Sequence, residues 1–127
     1  MAIPTELHYT SEHLWTAPAE DGTWLAGITD YAQDLLGDIV FVEAPAIGSR
    51  LEAGKPCGLV ESVKTGSDLH APRAGEVVAI NEQLQGNPEQ LNDKPYASWI
   101  FRYRPSDPAD ADGLLDARAY EALLGQA

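Results

Sequence analysis

A single cysteine, Cys57, rules out an internal disulfide, so no covalent staple shapes the fold and a reducing compartment suits the chain. No stretch approaches the roughly 20 consecutive apolar residues that carry a helix across a bilayer. The start, Met1-Ala2-Ile3-Pro4-Thr5-Glu6, has neither a basic segment before an apolar run nor an Arg-rich amphipathic pattern. A secretory or organelle leader is therefore not expected, and a cytoplasmic, bacterial-type setting is. Spaced Cys/His sets, phosphate-cradling glycine loops and nucleophile elbows are missing as well. His8 and His13 stand near Glu6 and Glu12, and His70 follows later, but isolated histidines without spaced partners predict no metal site. An enzyme reading finds no candidate active site. Basic residues are also few, eight against 20 acidic ones, for a formal charge of −12. That field repels phosphate backbones and anionic lipid, which excludes nucleic acid and membrane surfaces as partners and favours proteins with basic docking faces. Only three of the basic residues are lysines: Lys55, Lys64 and Lys94.

What is present points to a single domain over residues 1–127, with 44% hydrophobic content typical of a globular chain. Short candidate strands lie near 7–9 and 14–16, followed by turn residues over 18–22 and a strand over 24–28. Thr29 or Asp30 is a good helix cap, Tyr31, Leu35 and Leu36 sit at helical spacing, and Gly37 closes the segment. The pattern predicts a short helix over 30–36. The continuous run Ile39-Val40-Phe41-Val42 predicts a strand buried on both sides. Pro45, Gly48 and Gly54 punctuate the next segments, and 58–63 alternates loosely up to Lys64. Further strands are expected over 77–80 and 99–103. The composition changes after Pro105, where Asp116 caps a helix whose Tyr120, Leu123 and Leu124 form an apolar stripe within a helical tail of about 106–125. Cys57 reads as a small hydrophobe on a buried strand, and Trp15, Trp24 and Trp99 as core or groove walls. Gly37-Asp38-Ile39-Val40 recurs as Gly75-Glu76-Val77-Val78, an echo that two similar halves would leave with the lysine near their crossover. Many short strands without long alternating helices predict a mainly β barrel or sandwich, with a short inserted helix and C-terminal helices.

Between two strands stands Glu61-Ser62-Val63-Lys64-Thr65-Gly66-Ser67-Asp68. Small polar residues and glycine at the tip suit a tight hairpin. A lysine there projects its amine into solvent on a fixed support, which is what a carrier needs from an attachment point. A Schiff-base lysine needs the opposite, burial that depresses its pKa.

Gly58, Glu61-Ser62-Val63-Lys64, Ala71-Pro72 and Gly75-Glu76-Val77 resemble the signature shared by lipoyl and biotinyl domains. The longer string through Ser67-Asp68-Leu69 resembles the glycine cleavage H-protein family. So do Gly27-Ile28-Thr29-Asp30-Tyr31-Ala32-Gln33 and 36–43, the segments Asn81-Glu82, Asn87-Pro88-Glu89, Leu91-Asn92 and Pro95-Tyr96, and 114–116 with 120–124. The resemblance covers nearly the whole chain, from Tyr9 to Leu124. Biotin carriers, the alternative within the wider group, usually place methionines on both sides of the lysine, where this chain has Val63 and Thr65.

The resemblance implies a lipoyl-domain-like barrel-sandwich hybrid, a lysine hairpin over about 58–78, and lipoate joined to Lys64 by an amide. It implies a carrier that visits a pyridoxal-phosphate glycine decarboxylase, a tetrahydrofolate-dependent aminomethyltransferase and a dihydrolipoyl dehydrogenase, after modification by a lipoate-attaching enzyme. The shuttle moves an aminomethyl group and reducing equivalents and catalyses none of the steps itself. Glu61, Asp68 and Gly75 are the candidates for recognition of the lysine turn. Glu12 and His13 are the candidates for a groove that receives the arm. Where the family usually reads Glu-His-Glu-Trp, this chain has Glu12-His13-Leu14-Trp15, and Leu14 cannot accept a hydrogen bond. Thr65-Gly66 likewise replaces two small alanine-like residues, which leaves room for a variant carrier used in lipoate relay. A domain that kept the fold and lost the carrier role is the reading opposed by intact Lys64 and Glu61.

Overall fold

A computed structural model describes residues 3–106 and 114–125. Nine strands and four short helices follow in the order β1 (His8–Tyr9), β2 (Leu14–Pro18), β3 (Trp24–Ile28), α1 (Asp30–Leu36), β4 (Ile39–Glu43), β5 (Arg50–Leu51), β6 (Pro56–Ser62), β7 (Gly66–His70), β8 (Gly75–Ile80), α2 (Gln83–Gly86), α3 (Gln90–Asp93), β9 (Phe101–Pro105) and α4 (Ala117–Gly125). They form a six-stranded sheet ordered β1-β2-β3-β9-β8-β5 and a three-stranded sheet ordered β4-β6-β7. Among the described residues no helix is long and apolar enough to cross a membrane. The architecture is the mainly β one that the sequence predicts.

Local chemistry explains the elements that carry the site. Thr29 caps α1, its side-chain oxygen accepting from Ala32 N–H at 3.2 Å. Gly37 ends the helix at φ +83°, a left-handed conformation that favours glycine, and its N–H donates to the Gln33 carbonyl. Asp116 caps α4 by accepting from Ala119 N–H at 2.8 Å. Part of the expected 106–125 tail, residues 107–113, lies outside the described residues. The echoed glycine segments lead into β4 and β8, one in each sheet.

One buried cluster joins the two sheets. Ile39, Val42, Val60 and Leu69 from the smaller sheet meet Leu14, Ile28, Val77 and Phe101 from the larger, with Leu84 and Leu91 from α2 and α3. Each such side chain contributes about 1.5–3 kcal/mol relative to exposure. Successive residues of β2 face opposite sides, so Trp15 points away from Leu14 into a second cluster with Tyr9 and Tyr120. There Tyr9 and Tyr120 stack at 4.7 Å, fastening α4 to β1.

Three expectations need correction. β4 is not buried on both sides: Val40 and Phe41 are exposed. The register with β6 shifts between Ile39 and Phe41, a bulge that turns two consecutive side chains outward. The hairpin itself spans 56–70 rather than 58–78, because β8 pairs with β5 and β9 in the other sheet. The last strand begins at Phe101; before it, the Trp99 carbonyl accepts from the Asn81 side chain and Ile100 N–H donates to Ala26.

Candidate functional site

Lys64 stands at the tip of the β6–β7 hairpin, exposed to solvent. Ser62 organises the tip. Its N–H donates to the Thr65 carbonyl at 2.7 Å, and its hydroxyl oxygen accepts from Lys64 N–H at 3.2 Å and Thr65 N–H at 3.1 Å. Val63 N–H donates to the Asp38 carbonyl at 3.0 Å and ties the tip to the entrance of β4. The turn is thus closed by its own residues and anchored to a neighbouring element.

The stem of Lys64 lies across Gly37. A Cβ at that position would come within 2.9 Å of Lys64 Cε and 3.5 Å of Nζ and would displace the flexible end of the lysine, while φ +83° is what favours glycine there. Asn92 holds this seat in place. Its amide nitrogen donates to the Gly37 carbonyl at 2.8 Å and to Gln33 Oε1 at 2.9 Å, while its oxygen accepts from Ile39 N–H at 2.9 Å.

Beside the hairpin, the turn between β1 and β2 meets β7 and α1. Glu12, His13, Ser67 and Asp68 border a cleft with Leu14, Ala32, Leu36 and Val60 among its walls. Its volume is about 30 Å³, roughly the space of one water molecule. Glu12 also borders a wider open hollow of about 290 Å³ with Thr10, Gly54 and Ala71. The Glu12 carboxylate lies 3.8 Å from His70 Nδ1.

His13 adopts φ +70°, an uncommon conformation that its surroundings enforce. Its Nδ1 lies 2.9 Å from the Tyr120 hydroxyl, which lies 2.8 Å from Thr29 Oγ1. Its ring also packs 4.8 Å from that of Tyr31. Burial holds the His13 pKa below the ordinary histidine value, against the opposing charge of Glu12. Burial likewise pushes the Cys57 thiol up to about 11, leaving it protonated and a poor nucleophile at neutral pH.

The sequence-predicted residues therefore fall into three places. Lys64 and Glu61 share the tip, with Glu61 paired across from Gly66. Glu12, His13 and Asp68 meet at the cleft. Gly75 belongs to neither: it opens β8 in the other sheet, where a Cβ would lie 2.4 Å from the Arg104 carbonyl oxygen. Close backbone approach between β8 and β9 accounts for that glycine. Sequence reasoning missed Ser62 as turn organiser, Gly37 as the lysine's seat and Asn92 as its clamp. The first has a local signal, since serine readily accepts from N–H groups two and three residues on. The contacts of Asn92 span more than 50 residues and have none.

These residues fit a lipoyl group. The amine is solvent-facing on a fixed turn that a modifying enzyme can reach, and the adjacent water-sized cleft has apolar walls and carboxylates on its border. Among the described residues no cluster of three or more His, Cys, Asp or Glu side chains is arranged to hold a metal.

The family model described as glycine cleavage H-protein matches residues 7–127. The glycine cleavage system H protein of Methylobacillus flagellatus is 66% identical over 125 residues, covering 98% of this chain and 100% of that one. The glycine cleavage system H protein 2 of Pseudomonas putida is 51% identical over 124 residues, covering 98% of both. The crystal structure of a glycine cleavage system H protein from Mycobacterium marinum superposes with a TM-score of 0.87 at 39% identity, covering 97% of this chain and 99% of that one.

Proposed function

Since this chain belongs to the glycine cleavage H-protein family, lipoyl carriers of the glycine cleavage system, we propose that Lys64 holds the lipoyl group as an amide on Nζ. The observation that carries this reading is the seat of Lys64: a solvent-facing amine on a Ser62-closed turn, with its stem drawn over Gly37. When bound, the group supplies a sulfur that accepts a one-carbon amine and a dithiol that is reversibly oxidised. The chain's own residues hold and screen. Lys64 fixes the root of the arm, and amide formation removes its charge. Leu14, Ala32 and Leu36 offer apolar walls beside β7. Glu12 and Asp68 are the carboxylates at the cleft, and they take over holding an ammonium where Leu14 has no acceptor. Glu61, exposed at the tip, is read together with the turn by the lipoate-attaching enzyme.

The partners are the pyridoxal-phosphate decarboxylase, the tetrahydrofolate-dependent aminomethyltransferase and the dihydrolipoyl dehydrogenase, met in the cytoplasm by a carrier that is not itself an enzyme. The test is glycine decarboxylation with purified decarboxylase. The lipoylated chain supports turnover, whereas Lys64→Arg taken through the same lipoylation leaves it at background. Equal turnover from the Lys64→Arg protein overturns the assignment.

A further inference from the structure

Five large apolar side chains are exposed among the described residues, and four of them belong to α1, β4 and the β6–β7 turn, which meet where Lys64 lies over Gly37 and Val63 N–H bonds to Asp38. Leu35, 56% exposed, lies two residues before the glycine that seats the lysine stem. Val63, 68% exposed, is its neighbour in the turn. Val40 and Phe41, 53% and 42% exposed, are turned outward by the β4 bulge, and Phe41 pairs with Glu61. The fifth, Ile47, lies in the connection between β4 and β5. The bulge is what converts a strand with the sequence of a core element into an apolar surface. Large apolar side chains left exposed on elements that meet at one turn mark an interaction site.

The charges around the patch are one-sided. Across segments 30–43 and 58–69, the sole basic residue is Lys64, set among Asp30, Asp34, Asp38, Glu43, Glu61 and Asp68. A partner seated here must be apolar at its centre and basic at its rim, with an opening for one amine. Enzymes served by a loaded arm meet it at its far end. Only the enzyme that acylates the lysine must bring its active site to Nζ itself, and hence must cover the residues immediately around it.

We propose that the collar of Leu35, Val40, Phe41 and Val63 is the docking surface for the lipoate-attaching enzyme, which engages it through an apolar centre and a basic rim. This rests on the assignment of Lys64 as the lipoyl site.

The experiment is steady-state lipoyl transfer by a purified attaching enzyme, with the full apo chain as the varied substrate. The variants are Val40→Ser/Phe41→Ser, Leu35→Ser on a different element, and Ile47→Ser as an exposed apolar site outside the collar. The collar variants raise KM by about tenfold with kcat within about twofold, the pattern of lost docking contacts. Ile47→Ser leaves both unchanged. Melting curves identify any variant that has lost its fold, and Leu35→Ser then carries the comparison. A KM within about twofold of the original for the collar variants overturns the proposal. So does a self-associated chain that these variants render monomeric while KM stays the same, which assigns the collar to a second copy. Failure to modify the unaltered chain, with a known acceptor modified in parallel, overturns the Lys64 assignment itself.

Discussion

Ser62 holds the backbone of Lys64 while the amine stays exposed. One hydroxyl accepts from two turn N–H groups and donates to the Thr65 carbonyl, so Ser62→Ala removes three side-chain bonds while leaving the Ser62 N–H to Thr65 carbonyl bond intact. Because the turn is exposed, water replaces part of what is lost, and the cost is about 1 kcal/mol. That corresponds to a fall in Tm of roughly 2–6 °C for a domain of this size. Attachment slows by more than stability alone explains, because a loosened tip presents its amine in many geometries; Ser62→Thr keeps the acceptor and restores the rate. Calorimetry and timed lipoylation of the three proteins check this, and an unaltered attachment rate for Ser62→Ala speaks against a turn read as a shape. At this scale the sequence reveals Lys64 through its neighbours: the turn alone suits any surface lysine, whereas Gly58, Glu61-Ser62-Val63 and Ala71-Pro72 resemble the lipoyl signature. It does not reveal that Gly37 lies under the lysine stem as well as closing a helix. The lysine stem that lies on Gly37 arrives from 27 positions away, and a cap reading is satisfied without it.

The elements differ in how far their sequences speak for them. Helix α1 is legible because its cap, its apolar spacing and its terminal glycine act within one turn of each other. Strand β4 is legible as a strand but not in its burial, since a bulge depends on the register chosen by β6. The attachment of α4 is invisible for the same reason: Tyr120 meets His13 and Thr29 from 107 and 91 residues away. That contact makes a further prediction. His13 is kept neutral in the fold by burial, whereas in the unfolded chain it titrates near the ordinary value of about 6.5. Below that value the unfolded state binds the extra proton, so the contribution of His13 is complete above about pH 6.5 and is lost as pH falls towards and through the depressed folded value. His13→Asn, which tolerates the left-handed backbone, therefore loses less Tm than the original between about pH 7.5 and pH 5.5. Parallel pH profiles would remove His13 from the attachment of α4.

For the whole molecule the dominant quantity is a formal charge of −12. Such a field speeds encounter with basic partners and is screened over about 10 Å at 0.1 M salt. The KM of the glycine decarboxylase for the lipoylated chain therefore rises severalfold between about 50 and about 500 mM salt, while kcat changes little. A salt-independent KM would confine the acidity to a role in solubility. The proposal that the lipoyl-bearing amine is Lys64 Nζ is tested most directly by mass. The chain is incubated with lipoate and an attaching enzyme, then weighed intact and fragmented to locate the adduct. The account predicts one lipoyl increment per chain on Lys64, none on Lys55 or Lys94, and none on Lys64→Arg. A biotin-sized increment, an adduct on another lysine, or no adduct beside a modified control protein would contradict it.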